Sequence, residues 1–444
     1  MRDLRWWMVM MLVVMAGCAS GPPSRQPTPE RLPALAPTPG GTPLGASIAQ
    51  EAPAQELSGE HLERMTLADA LARAERLHPE LAVSQAQIER AEGLALQAGL
   101  FPNPELVARI ESAPLTRQFA EQAEYVAGVS QAIPLGSRLT LARQAELLDR
   151  DRLTYALAAK RLDIRMRVRS AFATALYWQR VIQAREEDVR SAANGVALAQ
   201  ARLTAGDTIP AEVAQAEMEL RRAELERDKA MSNSAQAFDT LGGTLGDATL
   251  QIMSLDGALE ETLTVPALAS LAARLEASPF LAAAAADIAV QRAQLDVVHA
   301  QRTPDVHLDL FYRRLGDSDN AIDVGVRLPL RLFDQGQGRL QATRAELAAA
   351  EARARTLRND QSLQLQATHR KLARAVATAA LLRREMLPRA ESVLQGAEAR
   401  YRAGDMGFSE LLPVRRDWTR VRLDYLEALH DVMQAWAELS PYLW

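Results

Sequence analysis

Ala201-Arg202-Leu203-Thr204-Ala205-Gly206-Asp207 ends one long helical pattern, and Ala399-Arg400-Tyr401-Arg402-Ala403-Gly404-Asp405 ends another. The two heptapeptides lie roughly 200 residues apart, and other landmarks keep that offset. His78-Pro79-Glu80-Leu81 returns as Ser278-Pro279-Phe280-Leu281, and Asn103-Pro104-Glu105-Leu106 as Thr303-Pro304-Asp305-Val306. Ile133-Pro134-Leu135 returns as Leu328-Pro329-Leu330, and Glu212 as Glu410. Landmarks in one order at one offset mean a single pattern used twice.

Outward from those turns, each repeat has the same content. Thr66-Leu67-Ala68-Asp69 is a capping-box pattern that opens a short helix ending near His78. A second helix runs from about Pro79, with proline in its first turn, to about Leu100, where Pro102 and Pro104 stop it. Two strand-like runs follow. A very long helix is then expected from about Ser137 to Leu203, since no proline interrupts it and Leu141, Leu148, Tyr155 and Leu162 recur every seventh residue. A returning helix starts near Pro210, and Gly242-Gly243 closes the first repeat. The second repeat predicts helices at about 266–278 and 279–301, a long helix at 337–402 kinked or broken near Leu387 by Pro388, and a return at 409–440. The resulting division is 1–17, 18–64, 65–265 and 266–444.

Composition narrows the function. Aromatic residues are 5% of the chain, charged residues 24% and the net charge is −5, a balance that suits long helices and argues against a nucleic-acid partner. No nucleophile elbow, phosphate loop or dinucleotide fingerprint occurs, so no catalytic residue or cofactor is expected. Carboxylates lie at ion-pair spacing with arginine along the helices, as solvated faces do. Trp178, Trp418 and Trp436 read as packing residues.

The strand runs alternate with period two. Val306, Leu308, Leu310 and Tyr312 face one way, against Asp305, His307, Asp309 and Arg313. The partner run sets Ile322, Val324, Val326 and Leu328 against Asp323, Gly325 and Arg327. The hairpins span about 104–134 and 304–330, the first with a polar loop near Thr116 to Gln122. Each run is close to the ~9–11 residues that a tilted membrane strand needs. Four strands cannot close a barrel, and an open edge is not tolerated in lipid, so a spanning reading requires several chains. A pair of ordinary hairpins packed on helices is the plainer alternative.

The first eighteen residues contain basic Arg2 and Arg5, an apolar run from Trp6 to Met15, and Met15-Ala16-Gly17-Cys18. Cys18 is the single cysteine, which excludes a disulfide within the chain. This order resembles the lipobox of bacterial lipoproteins, with Met15 where leucine is usual; an ordinary secretory signal is the other reading. The resemblance implies cleavage before Cys18, acylation of Cys18, and, with Ala19 following, an outer-membrane address. Residues 18–64 then form a lipid-anchored tether rich in Pro, Gly and Thr.

Taken in order, Phe101-Pro102-Asn103-Pro104-Glu105-Leu106, Gly128-Val129-Ser130-Gln131-Ala132-Ile133-Pro134-Leu135, the Leu328 to Gly338 stretch and the two Ala-Gly-Asp turns resemble TolC-like outer-membrane efflux channels. The resemblance covers about Met65 to Leu439. It implies a mainly α fold with a small β part: a homotrimer forming a twelve-stranded barrel continued by an α-helical tunnel. It also implies a periplasmic adaptor and an inner-membrane pump as partners, and no chemistry of its own. Asn103 to Leu106 and Phe333 to Gly338 look most like members paired with heavy-metal pumps. A drug or peptide conduit and a lipid-anchored coiled-coil scaffold remain as alternatives. On this resemblance Ala205, Gly206, Asp207, Ala403, Gly404 and Asp405 form the tunnel tip that meets the adaptor. Asp305, His307, Asp309, Asp323 and Arg327 then line the barrel lumen, and no metal site is assigned.

Overall fold

The computed structural model describes residues 61–443 except 63, 112–122, 248, 260–263 and 315–318. The signal, Cys18, most of the tether and the Thr116 to Gln122 loop lie outside the described residues.

Thr66 opens α1 (Leu67–Leu77), and both halves of its capping box form: Asp69 N donates to Thr66 Oγ1 at 3.2 Å, and Thr66 N to Asp69 Oδ2 at 3.1 Å. α2 (Pro79–Ala98) follows with Pro79 in its first turn and His78 as its cap. Ahead of α1 lie two-residue strands β1 (His61–Leu62) and β2 (Met65–Thr66). They pair in parallel with β5 (Gln251–Ile252) and β6 (Leu255–Asp256) from beyond the first long hairpin. Strands this short leave no periodic trace in a sequence.

Strands β3 (Glu105–Glu111) and β4 (Glu124–Ile133) lead into α3 (Arg138–Ala205), whose 68 residues span about 100 Å. α4 (Pro210–Thr244) returns along it. Gly242 lies inside α4 and does not close it; the reversal falls at Gly246, with φ +83°, where a Cβ would sit 2.7 Å from Pro79. The second repeat contributes α5 (Leu268–Glu276), α6 (Pro279–Ala300), β7 (Val306–Arg314), β8 (Asn320–Arg327) and α7 (Gln337–Leu381). α7 does not break at Pro388. A π turn over Leu382–Met386 leads into α8 (Leu387–Ala403), and Leu387 N–H bonds back to Leu382 O. Proline has no N–H for the carbonyl one turn earlier, so the ladder shifts just upstream and Leu382 stays buried. α9 (Phe408–Leu439) completes the second hairpin.

The main core joins both repeats. Ile164, Val168, Phe172 and Leu176 of α3 meet Leu241, Leu271, Leu372 and Leu429 from four other helices. Each such buried side chain contributes about 1.5–3 kcal/mol. Alanines at 171, 173 and 175 let the neighbouring helices approach α3 closely.

Two histidines make this core sensitive to acid. His430 lies 3.2 Å from Thr174 Oγ1 and 3.0 Å from Gln434 Nε2, with its ring 4.8 Å from that of Tyr177. Burial pulls its pKa below 6.5, opposed by Asp431 and aided by Lys371. His78 is lowered from 6.5 as well, first by burial. A lowered folded pKa means the unfolded chain takes up protons first. The stabilisation from these rings is therefore complete above about pH 6.5 and is lost progressively as pH falls from there through the lowered folded pKa values. Chemical unfolding at pH 7 and pH 5 is expected to show lower stability at pH 5, and His430→Gln to shrink that difference. Glu80 acts in a lower window. Lys160 and Arg167, each 2.9 Å away, bring its pKa to about 2, so its contribution fades between about pH 4.5 and 2.

Candidate functional site

Two regions hold the residues singled out in the sequence: the four-stranded sheet and the paired turns at the ends of α3 and α8. The sheet runs β3-β4-β7-β8, antiparallel throughout, so the hairpins of the two repeats meet along β4 and β7. Residues directly opposite each other share a face.

Register therefore sorts the side chains. Leu106, Ile110, Val129, Leu310, Tyr312, Ile322, Val324 and Val326 share one face, and all are exposed. The other face carries charge. Ser130 Oγ donates to Asp309 Oδ1 at 2.6 Å, and Arg327 grips Asp309 through Nε at 2.7 Å and a second nitrogen at 3.0 Å. Two layers along, Arg313 reaches three other strands, at Asp323 (2.7 Å), Glu124 (2.9 Å) and Glu111 (3.3 Å). Arg109 lies over the Phe311 ring at 5.1 Å.

The expected lumen residues divide accordingly. Asp309, Asp323 and Arg327 are brought together on the charged face. His307 shares that face, opposite Ala132 and Arg327. Both oxygens of Asp309 are taken by Arg327, so its carboxylate is an ion-pair acid and not a free ligand beside His307. Asp305 precedes β7 and pairs with Arg138 at 2.8 Å, tying the hairpin to the start of α3. Glu111, Glu124 and Ser130 were missed in the sequence; only the β4–β7 register brings them to Arg313 and Asp309. The Phe333 to Gly338 stretch has a local role, since Asp334 Oδ1 accepts from Gly336 N at 2.9 Å and Gly336, with φ +75°, starts α7.

The two Ala-Gly-Asp turns are built alike. Gly206 and Gly404 adopt φ of +81° and +85°. Asp207 N donates to Arg202 O at 2.9 Å, and Asp405 N to Arg400 O at 3.0 Å. The glycines cap the two long helices, but the aspartates do not cap the helices that follow. Ile209 and Gly407 occupy those cap positions because the chain continues two residues beyond each aspartate, leaving Asp207 and Asp405 at the turns. Between the turns, Tyr401 is buried, with the Arg202 guanidinium 4.9 Å from its ring and Phe408 at 5.9 Å. Arg202 also reaches Glu212 at 3.4 Å. A small core of Ala199, Ala216, Ala397, Leu411 and Leu412 surrounds Tyr401, so the two hairpins are locked to each other at this end.

No helix among the described residues is long and apolar enough to cross a membrane, and no three metal-ligating side chains converge among them. The family model described as outer membrane efflux protein matches residues 70–247 and 271–443. The cobalt-zinc-cadmium resistance protein CzcC of Cupriavidus metallidurans is 28% identical over 372 residues, covering 84% of this chain and 88% of that protein. Among solved structures, CusC superposes with a TM-score of 0.67 at 17% identity, covering 85% of this chain and 91% of that one. The CmeC outer membrane channel of Campylobacter jejuni gives 0.66 at 14% identity, covering 85% of each chain.

Proposed function

Because this chain belongs to the outer membrane efflux protein family, and is therefore a conduit and not an enzyme, we propose that three copies form a passive channel exporting heavy-metal cations. The observation that carries this reading is the sheet: two free edges, one exposed apolar face and one ion-paired face. In lipid such edges must be satisfied, and β3 of one copy pairing with β8 of the next satisfies both. Three copies supply twelve strands, with the apolar face toward lipid and Asp305, His307, Asp309, Asp323 and Arg327 toward water. Carboxylates outnumber guanidinium groups on the charged face, where Glu105, Glu111, Glu124, Asp309 and Asp323 stand against Arg109, Arg313 and Arg327. An excess of that sign suits cations. CzcC, by its name a cobalt-zinc-cadmium resistance protein, supports the same cargo.

In this reading Cys18 carries the lipid anchor in the outer membrane and α3, α4, α7, α8 and α9 form the periplasmic tunnel. Ala205 to Asp207 and Ala403 to Asp405 meet a periplasmic adaptor linked to an inner-membrane pump. Growth of a deletion strain, with and without plasmid rescue, across divalent metals, monovalent metals and drugs tests the cargo. Sensitivity confined to metals supports metal export. Sensitivity to drugs alone would move the chain to a drug conduit.

The tip makes a separate prediction. Neither the Asp207 nor the Asp405 carboxylate has a partner among the described residues, so three-fold repetition would ring the tunnel end with negative charge. The double variant Asp207→Ala, Asp405→Ala is expected to lower the cation-to-anion permeability ratio at least about two-fold in planar bilayers at low salt. An unchanged ratio would remove these residues from the conduction path.

A further inference from the structure

The two repeats differ between their last strands and their long helices. Three residues, Leu135 to Ser137, separate Pro134 from α3, whereas seven, Leu330 to Gly336, separate Pro329 from α7. The longer connection carries Leu330-Arg331-Leu332-Phe333. Among the described residues nothing covers its apolar side chains: Leu330 is 75% exposed, Leu332 70% and Phe333 91%. Large apolar groups exposed together in so short a segment mark a contact surface.

The polar groups of the segment are satisfied locally. Leu332 N donates to Leu330 O at 3.1 Å, Gln337 Nε2 to Phe333 O at 3.2 Å, and Gly336 N to Asp334 Oδ1 at 2.9 Å. The Arg331 guanidinium donates to Gln301 O just past α6, which ties the segment to the neighbouring helix. A backbone bonded within its own turn, with apolar side chains outside it, suits a neighbour other than water.

Position says which neighbour. Exposed Ile322, Val324 and Val326 alternate along β8, and Leu328 and Leu330 keep that alternation beyond the end of the strand at Arg327. Pro329 has no N–H to give a neighbouring strand, so the ladder stops there while the apolar line continues. In the channel reading this line faces lipid. The eight residues of β8, tilted by ~45°, rise only about 19 Å, short of the ~25 Å apolar band of an outer-membrane barrel. Continued at the same pitch to Leu330, the line rises about 26 Å. Leu332 and Phe333 then fall where acyl chains give way to headgroups, the level at which amphipathic and aromatic anchors gather. Arg302 and Arg331 line a cleft of about 340 Å³ beside the segment, with cationic heads suited to the phosphate layer.

We propose that Leu330, Leu332 and Phe333 form an anchor immersed in the periplasmic leaflet of the outer membrane, with phospholipid as its partner. The inference rests on the channel reading and adds to it the lower boundary of the apolar band. Each copy contributes one anchor, and none of the residues that face the exported cargo takes part.

The test uses the full-length chain in phosphatidylcholine vesicles. Phe333→Cys, Val324→Cys and Met218→Cys are labelled in turn with a thiol-reactive nitrobenzoxadiazole dye, and the unsubstituted chain gives the background from Cys18. A nitroxide is placed on the lipid either near the headgroup or near the end of the acyl chain. The Phe333 dye, on the order of 5–10 Å below the headgroups, should be quenched at least about two-fold more by the shallow nitroxide than by the deep one. The Val324 dye should show the opposite preference, and the Met218 dye should respond to neither. Replacing an exposed ring removes no packing, so Phe333→Cys is expected to fold. As a second variant, Leu332→Ser with Phe333→Ser should lower the lipid quenching of a dye on Leu330→Cys at least about two-fold. If the Val324 dye is quenched but the Phe333 dye is not, the anchor is overturned while the channel reading stands, because another copy or residues before 61 would cover the segment. Stronger quenching of the Phe333 dye by the deep nitroxide also overturns it. If neither dye is quenched, the channel reading fails and the anchor with it.

Discussion

Gly128→Ala is expected to disrupt the four-stranded sheet, at a cost of about 3 kcal/mol or more, although only one methyl group is added. Gly128 lies on β4 directly opposite Phe311 of β7, on the charged face. A Cβ there would fall 2.1 Å from Leu310 O, 2.4 Å from Phe311 Cδ1 and 2.6 Å from Phe311 Cα. A ring edge can rotate away; a carbonyl oxygen in the partner strand cannot. The variant must therefore separate β4 from β7, the one seam through which the hairpins of the two repeats are joined. Hydrogen exchange of the segments 105–133 and 306–327 should show protection lost on both sides of that seam. Adding Phe311→Ala should restore only a minor part of it, because the clash with the carbonyl persists. Gly396→Ala provides the contrast. Nothing lies within 4 Å of a Cβ at that position in α8, and the change is expected to stabilise by about 0.5–1 kcal/mol.

Gly128 also shows where sequence reading stops. The helices were legible because their determinants are local: capping pairs such as Thr66 with Asp69, prolines in first turns, and an apolar period sustained over many turns. Duplicated turns exposed the overall plan, and strict alternation in 306–312 and 322–328 gave each strand its two faces. Which strands pair is a long-range matter. Nothing near Glu111 or Glu124 announces that Arg313, some 190 residues away in sequence, will bind both. The π turn at Leu382–Met386 was legible as a disturbance from Pro388, but the way the helix absorbs it depends on keeping Leu382 in the core. At the tip, glycine fixed the turn while the aspartate's role depended on two residues of loop length. Trp436 reads as a packing residue in sequence, and only the folded chain leaves its indole nitrogen buried without a hydrogen-bond partner among the described residues.

The other large effect concerns the face that made a barrel conceivable. Val324 is 78% exposed in the single chain, mid-strand in β8, among exposed Ile322, Val326 and Leu310. On a water-exposed hairpin of a periplasmic scaffold, Val324→Arg should change stability by no more than about 0.5 kcal/mol, since nothing packs on the side chain. Facing lipid near the middle of a spanning strand, the same charge should cost about 2–4 kcal/mol. Unfolding measured in lipid bilayers is expected to give the larger value, together with loss of membrane-inserted protein from cells. Met218→Arg on α4 tests the specificity of that effect. Met218 is 72% exposed and equally apolar, but it projects from a helix of the proposed tunnel, so it should change stability little. A large cost at Val324 with a negligible one at Met218 requires two different solvents around one chain. Lipid around the sheet and water around the helices is the arrangement that an outer-membrane channel needs and a scaffold lacks. Equal, small costs at both positions would leave the apolar face without lipid to meet, and the open edges of β3 and β8 would then require a protein partner instead.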